Sequence, residues 1–227
     1  LGDVGFIVGI ATLYYLTGTF NIPEIAERSP EWASWLASRG MLFPFLVAFS
    51  MGAMAKSAQF PFHEWLVTAM TGPTPVSALI HAATMVKAGV YFLLRFSPIF
   101  REASHHLAGS LPAASQAISS YFTFIAVIGA FTAFFMATQA LVARELKLIL
   151  AFSTASQLGY MFMALGCSGL MEEFPNGLMA GFSHFMSHAI FKASLFLGAG
   201  AVIHAVHSRF IDDMGGLSKY MRATFLS

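Results

Sequence analysis

A lysine and a proline stand inside an apolar stretch of membrane-crossing length, and this pairing narrows the possible folds more than any other feature. The run from Met41 to Ala55 carries no charge. It leads into Lys56-Ser57-Ala58-Gln59-Phe60-Pro61-Phe62-His63-Glu64-Trp65. After the turn Thr71-Gly72-Pro73-Thr74-Pro75 a second apolar run begins at Val76. A continuous helix from Met41 to Met70 would be about 45 Å long at ~1.5 Å per residue, against a hydrocarbon core ~30 Å thick. Pro61 lacks an N–H and clashes with the preceding turn, so the helix breaks or kinks near it. A lysine at the centre of a membrane helix costs ~2.5–3.5 kcal/mol on insertion scales. Snorkelling to an interface would relieve that cost. Fifteen apolar residues precede Lys56, however, and place it well inside. Broken helices around a charged group are how membrane transporters build ion sites.

Composition points the same way. Hydrophobic residues make up 57% of the chain and charged residues 10%, where soluble domains carry about 25% charged residues. The fold class expected is an all-α, polytopic transmembrane bundle of one domain, residues 1–227, with about six spans. A net charge of +1 gives no reason to expect nucleic acid as a partner. A single cysteine, Cys167, leaves no intrachain disulfide framework and reads as a packing residue. The start at Leu1 has neither a charged leader nor a small-residue cleavage site. Another apolar run opens at Phe225-Leu226-Ser227, so both ends read as cuts through a longer protein.

In order, a first helix is expected from about Val4 to Phe20, with Asp3 at its N-terminal end, where a carboxylate suits the dipole. Residues 21–40 read as a charged loop with room for a short surface helix, and with Trp32 and Trp35 as interfacial anchors. The interrupted helix follows, from Met41 to Met70. A third runs from about Val76 to Phe96, and Ser97 to Ile118 reads as a polar loop holding His105-His106. Helices over about Ser119–Val142, Leu148–Leu165 and Leu178–Val206 complete the set, followed by a charged tail. The turns at 71–75 and 143–147 then share one side with the tail. That side holds Arg144, Lys147, Arg209, Lys219 and Arg222, which assigns it to the cytoplasm.

Polar residues inside the apolar helices are the candidate site. His184, His188 and Lys192 repeat at i, i+4 and i+8, within about 80° of one helix face. Imidazole both donates and accepts, and its unperturbed pKa near 6.5 suits proton exchange. These groups read as a proton relay, with a structural hydrogen-bond ladder as the alternative. A metal site is weaker, because no third ligand accompanies the histidines on that helix. His81 is a further relay candidate. Lys87 lies six residues on, about 240° around a regular helix, so the two should not share a face. Lys87, Glu64, Ser153 and Gln157 are possible members. Ser153, Ser156, Gln157 and Tyr160 form one polar face in this reading. His63-Glu64 begins like a zinc-protease motif, but Val67 stands where its second histidine belongs. No nucleophile–base pair, phosphate loop or cofactor motif is present, so neither cofactor nor metal is expected.

The stretch Lys56 to Leu66, then Gly72-Pro73-Thr74-Pro75-Val76-Ser77-Ala78-Leu79-Ile80-His81-Ala82-Ala83-Thr84-Met85-Val86, resembles the signature of the antiporter-like subunits of respiratory complex I. The same family takes in the A subunit of Mrp cation/proton antiporters and the pump subunits of membrane-bound hydrogenases. Gly2-Asp3-Val4-Gly5, the segment Leu150 to Met161, the run His184 to Lys192 and Met214-Gly215-Gly216-Leu217 also match. The likeness is strongest to the large, L-type subunit.

The resemblance implies two inverted five-helix repeats, each with a broken helix. Lys56 matches the lysine of the first broken helix, His81 the histidine of the next helix, and His184, His188 and Lys192 the central relay. The family pairs its first lysine with a glutamate on an earlier helix, which Glu64 does not match. A second broken helix would follow Ser227. Lys87 is seen more readily in Mrp-like members. The implied activity is H⁺ translocation by a non-redox membrane subunit of an NADH:quinone oxidoreductase-type translocase. Its expected setting is a cell membrane, with lipid and further membrane subunits as partners. A Mrp-type Na⁺/H⁺ antiporter and a purely structural membrane scaffold are the alternatives.

Overall fold

The computed structural model describes residues 2–222 and Thr224. The run expected to open at Phe225 lies outside the described residues. The architecture is all helical. The helices are α1 (Gly2–Thr17), α2 (Ile22–Glu27), α3 (Ser29–Ala37), α4 (Leu42–Lys56), α5 (Glu64–Thr68), α6 (Thr74–Ala78), α7 (Ala88–Leu107), α8 (Pro112–Val142), α9 (Leu146–Ser168) and α10 (Phe174–Val206). Among the described residues the only extended pairing is one antiparallel bridge between Glu145 and Phe210.

Among the described residues four stretches are long and apolar enough to cross a membrane: Thr74–Leu107, Pro112–Val142, Leu146–Ser168 and Phe174–Val206. The pair α3 and α4, bent by 117°, makes a fifth if counted as one span, and α1 is apolar but shorter. Sequence alone suggested about six.

Two segments that read as loops are largely helical. The expected loop 97–118 is mostly helix, because α7 runs through Pro98 to Leu107 and α8 begins at Pro112. Proline at the first position of a helix costs no hydrogen bond, which is why α8 can start there. His105 and His106 therefore close α7 and remain exposed. The charged segment 21–40 folds into α2 and α3, and Trp32 is 3% exposed rather than interfacial. Its ring packs on Phe45 and Phe100, and its indole N–H donates to the Ile25 carbonyl at 3.0 Å.

Aromatic rings fill the main core. Phe49 stacks on Phe45 and meets Phe92 and Phe96 edge-on, while Phe100 meets Tyr121. With lipid outside, close approach of small residues replaces hydrophobic drive between helices. A side chain on Gly129 of α8 would put its Cβ 2.6 Å from the Gly159 carbonyl oxygen of α9. The connections also sort to two ends of the bundle. Arg101 donates to the Gly169 and Met171 carbonyls at 3.1 and 3.0 Å. At the other end Arg209 pairs with Glu145 at 3.4 Å, and Arg144 with Asp212 at 3.7 Å.

Candidate functional site

The interrupted span breaks immediately after Lys56. The α4 helix ends there, Ala58 takes a left-handed backbone with φ 50°, and helix resumes only at Glu64. Side chains supply the bonds that the missing turns would have made. Ser57 Oγ donates to the Val86 carbonyl at 2.6 Å, and Thr132 Oγ1 accepts the Phe60 N–H at 3.0 Å. Trp65 Nε1 donates to the Ala55 carbonyl at 2.8 Å, which ties the two halves of the span together. Gln59 is fully buried and donates to the Ser57 carbonyl, while its side-chain oxygen has no protein partner.

Lys56 stands on the wall of an open cleft of about 490 Å³, together with Asp3, Pro61, Glu64, Trp65 and Met85. Its side chain is exposed to that cleft rather than enclosed by protein. No ion pair to Lys56 forms among the described residues. Asp3 was read only as a helix-dipole residue and was missed as a member of this site. A detectable signal lay beside it, since Gly2, Gly5 and Gly9 form a small-residue stripe on α1. A Cβ on Gly2 would lie 2.4 Å from that of Ala55, and one on Gly5 2.8 Å from the Ala48 carbonyl oxygen. Helices α1 and α4 thus pack antiparallel and in close contact, which carries Asp3 to the level of Lys56.

The second group gathers around α10. Its buried stripe is Gly177, Gly181, His188, Lys192, Phe196 and Ala199. His188 and Lys192 therefore occupy the inward seam where apolar residues would be expected. His184 is half-buried on the same face, with its ring 6.3 Å from that of His188. Lys192 donates from Nζ to the Ser153 hydroxyl of α9, and Ser153 donates in turn to the Leu150 carbonyl at 3.2 Å. Ser156 does not share this direction. It bonds the Ala133 carbonyl of α8 at 2.9 Å, so the single polar face expected on α9 divides between two neighbours. Gln157 is half-buried, and Glu64 is exposed.

His81 and Lys87 do reach the same helix, against the expectation from regular helical geometry. The span between them is not a regular helix. A π-helical turn covers Leu79–Ala83, Thr84 departs to φ −122° and ψ −91°, and a 3₁₀ turn covers Met85–Lys87. That irregularity rotates both side chains toward α10. The His81 ring lies 4.9 Å from Phe196. Lys87 Nζ donates to the Phe185 carbonyl at 2.5 Å and sits 4.5 Å from the Phe185 ring centre. From Phe185 to Phe196 along α10 is about 16 Å at ~1.5 Å per residue, roughly half a hydrocarbon core.

Four titratable side chains in this row are almost fully enclosed: His81 and His188 at 0%, Lys87 and Lys192 at 2%. The lysines have protein acceptors. Neither ring nitrogen of His81 or of His188 has a protein partner. Among the described residues no cluster of His, Cys, Asp or Glu could hold a metal ion.

The whole chain, residues 1–227, matches the family described as NADH:quinone oxidoreductase/Mrp antiporter, TM. Subunit L of the NADH-quinone oxidoreductase of Rhodobacter capsulatus is 43% identical over 233 residues, covering 99% of this chain and 29% of its own length. The corresponding subunit of Campylobacter jejuni is 43% identical over 227 residues, covering 99% and 33%. The chain thus spans about a third of the length of these curated relatives. In structure it is similar to a chain of the Mrp complex from Dietzia sp., with TM-score 0.77 and 33% identity over 99% of this chain and 22% of the other. A chain of an archaeal membrane-bound sulfane sulfur reductase gives TM-score 0.79 and 26% identity, covering 100% and 42%.

Proposed function

We propose a proton path for this chain from one premise: it belongs to the NADH:quinone oxidoreductase/Mrp antiporter transmembrane family. It is a membrane subunit, and its role in this reading is to move H⁺ within a larger complex driven by redox chemistry elsewhere. The observation that carries the reading is the enclosed row Lys87, His188, Lys192 and His81 around α10. Charged and titratable groups inside a span are costly and mark ion pathways. A structural ladder would satisfy its members by bonding them to one another. Two buried imidazoles with both nitrogens free of protein partners fit a relay better. Such a ring can take a proton on one nitrogen and release one from the other, with ordered water linking it to its neighbours.

In this reading Lys56 is the loading group. The break after it leaves backbone groups without helical partners, a feature tolerated at membrane depth where backbone lines a watery cavity. A nearby carboxylate favours the charged form of a lysine, so a carboxylate that approaches and withdraws would switch proton affinity. Asp3 and Glu64, on the same cleft, are the carboxylates at hand. Ser153 and Gln157 on α9 would support Lys192 and His188.

The identity to NADH-quinone oxidoreductase L subunits favours a redox-driven pump in a bacterial cell membrane, surrounded by lipid and other membrane subunits. Likeness to a chain of a Mrp complex, together with Lys87, favours a Na⁺/H⁺ antiporter as the second reading. Isolation of the full-length subunit with its neighbours, followed by proton uptake measured in vesicles, tests both. Redox-coupled uptake supports the first reading and Na⁺-dependent uptake the second. No uptake under either drive sinks both.

A further inference from the structure

We infer that Lys147 is a positioning residue that holds the second half of the broken span against α9. By sequence it belongs to the charged turn at 143–147. In the structure it is 3% exposed, in the first turn of α9. A cation there opposes the helix's own positive end, so α9 gains nothing from it. Its ammonium donates to the Met70 carbonyl at 2.9 Å and to the Gly72 carbonyl at 2.6 Å. Those carbonyls end the 3₁₀ turn Ala69–Thr71 that continues α5. The last carbonyls of a helix have no partners of their own and carry partial negative charge. Lys147 therefore caps, from another helix, the C-terminal end of the segment that starts at Glu64.

That segment cannot hold itself in place. Its α-helical part is only five residues long, Glu64–Thr68, far below the length at which a helix is stable alone. Its position comes from its anchors. The Trp65 bond to Ala55 fixes the end nearest Lys56, and buried Leu66 and Met70 fix one face. Lys147 fixes the far end. Glu64 and Trp65 line the Lys56 cleft, so a shift of this segment changes that cleft. The same helix α9 presents Ser153 to Lys192. Lys147 thus sets the position of the broken segment relative to the helix that serves the central row. The charged and titratable groups around it are Glu145, two residues away, Arg209, which Glu145 pairs, and the buried His81.

The functional half of this inference rests on the proposed proton path, and its structural half does not. The experiment uses the full-length subunit in its assembled complex in membrane vesicles. Glu64→Cys, in a chain otherwise free of cysteine (Cys167→Ser included), reports the segment's position through its labelling rate with a charged methanethiosulfonate. Lys147→Met should change that rate about tenfold, as local opening does when charge-assisted hydrogen bonds are lost. Proton uptake, measured with Glu64 intact, should fall in parallel. Lys147→Arg keeps a cationic donor and should leave labelling and uptake within about twofold of the parent, whereas a proton-releasing lysine would not survive that change. Lys147→Gln, neutral but able to donate, serves if Lys147→Met fails to assemble, and should fall between the other two. Labelling unchanged in both neutral variants overturns the inference. So does a Lys147→Arg variant that labels normally yet moves no protons, because that marks a proton carrier. Absence of uptake in the parent, with the labelling pattern intact, overturns the transport reading and leaves the positioning role standing.

Discussion

Lys192 of α10 donates its ammonium hydrogen to the Ser153 hydroxyl of α9, so two spans are joined through a side chain that is 2% exposed. Without the hydroxyl, the ammonium would lose its one protein acceptor among the described residues. An unsatisfied buried group costs about 1–3 kcal/mol, and more when charged. Ser153→Ala is therefore expected to slow proton uptake about tenfold, the kinetic equivalent of ~1.4 kcal/mol. Ser156→Ala removes only a bond to the Ala133 carbonyl and should stay near the wild-type rate. Initial rates of uptake by vesicles carrying the full-length subunit distinguish the two.

The relay itself is tested by removing two adjacent members together. His188→Leu with Lys192→Met replaces a buried polar pair by apolar side chains of similar size, a change that membrane packing tolerates when no charge is left unpaired. Assembly is expected to persist, and uptake to fall at least about tenfold. An unchanged ratio of protons moved per turnover would remove these residues from the path.

The sequence made the long helices plain, because α8, α9 and α10 are apolar over nearly their whole length and carry proline or glycine at their ends. It also showed that His188 and Lys192 share a face, which a regular helix guarantees. It failed where the backbone is irregular. The π-helical turn at Leu79–Ala83 and the break at Thr84 cancel the angular argument that separated His81 from Lys87. The role of Lys147 was illegible for a different reason. Its acceptors, Met70 and Gly72, lie 77 and 75 residues earlier, and no local pattern announces a bond of that range. Asp3 stands in the first turn of α1 as expected, but its place beside Lys56 was illegible because the partner helix was unknown until the glycine stripe on α1 met α4.

Close packing beside the break gives a stability prediction. A Cβ on Gly89 would lie 2.0 Å from the Ala53 carbonyl oxygen and 2.4 Å from Ser57 Oγ, so α7 or α4 must move. Overpacking of this kind costs about 1–3 kcal/mol, and here it also disturbs the Ser57 bond to Val86. Gly89→Ala should lower the melting temperature of the detergent-purified complex or prevent assembly. Gly109→Ala, with nothing within 4 Å of its new methyl, should do neither.

Lys56 gives the sharpest test of switching. If it loads and releases a proton as Asp3 or Glu64 approaches and withdraws, then both protonation states must be reachable. Lys56→Met has no site for the proton, and uptake should be lost while electron transfer or antiport partners remain assembled. Lys56→Arg keeps the positive charge but holds its proton, since guanidinium does not deprotonate in proteins. It should fail as Lys56→Met does. Asp3→Asn should weaken uptake less severely, because Glu64 still lines the cleft. The measurement is proton uptake by reconstituted vesicles alongside the driving reaction, for each variant in the full complex. A Lys56→Arg variant that pumps at the wild-type rate would make Lys56 a fixed positive charge and leave the switch without a moving proton.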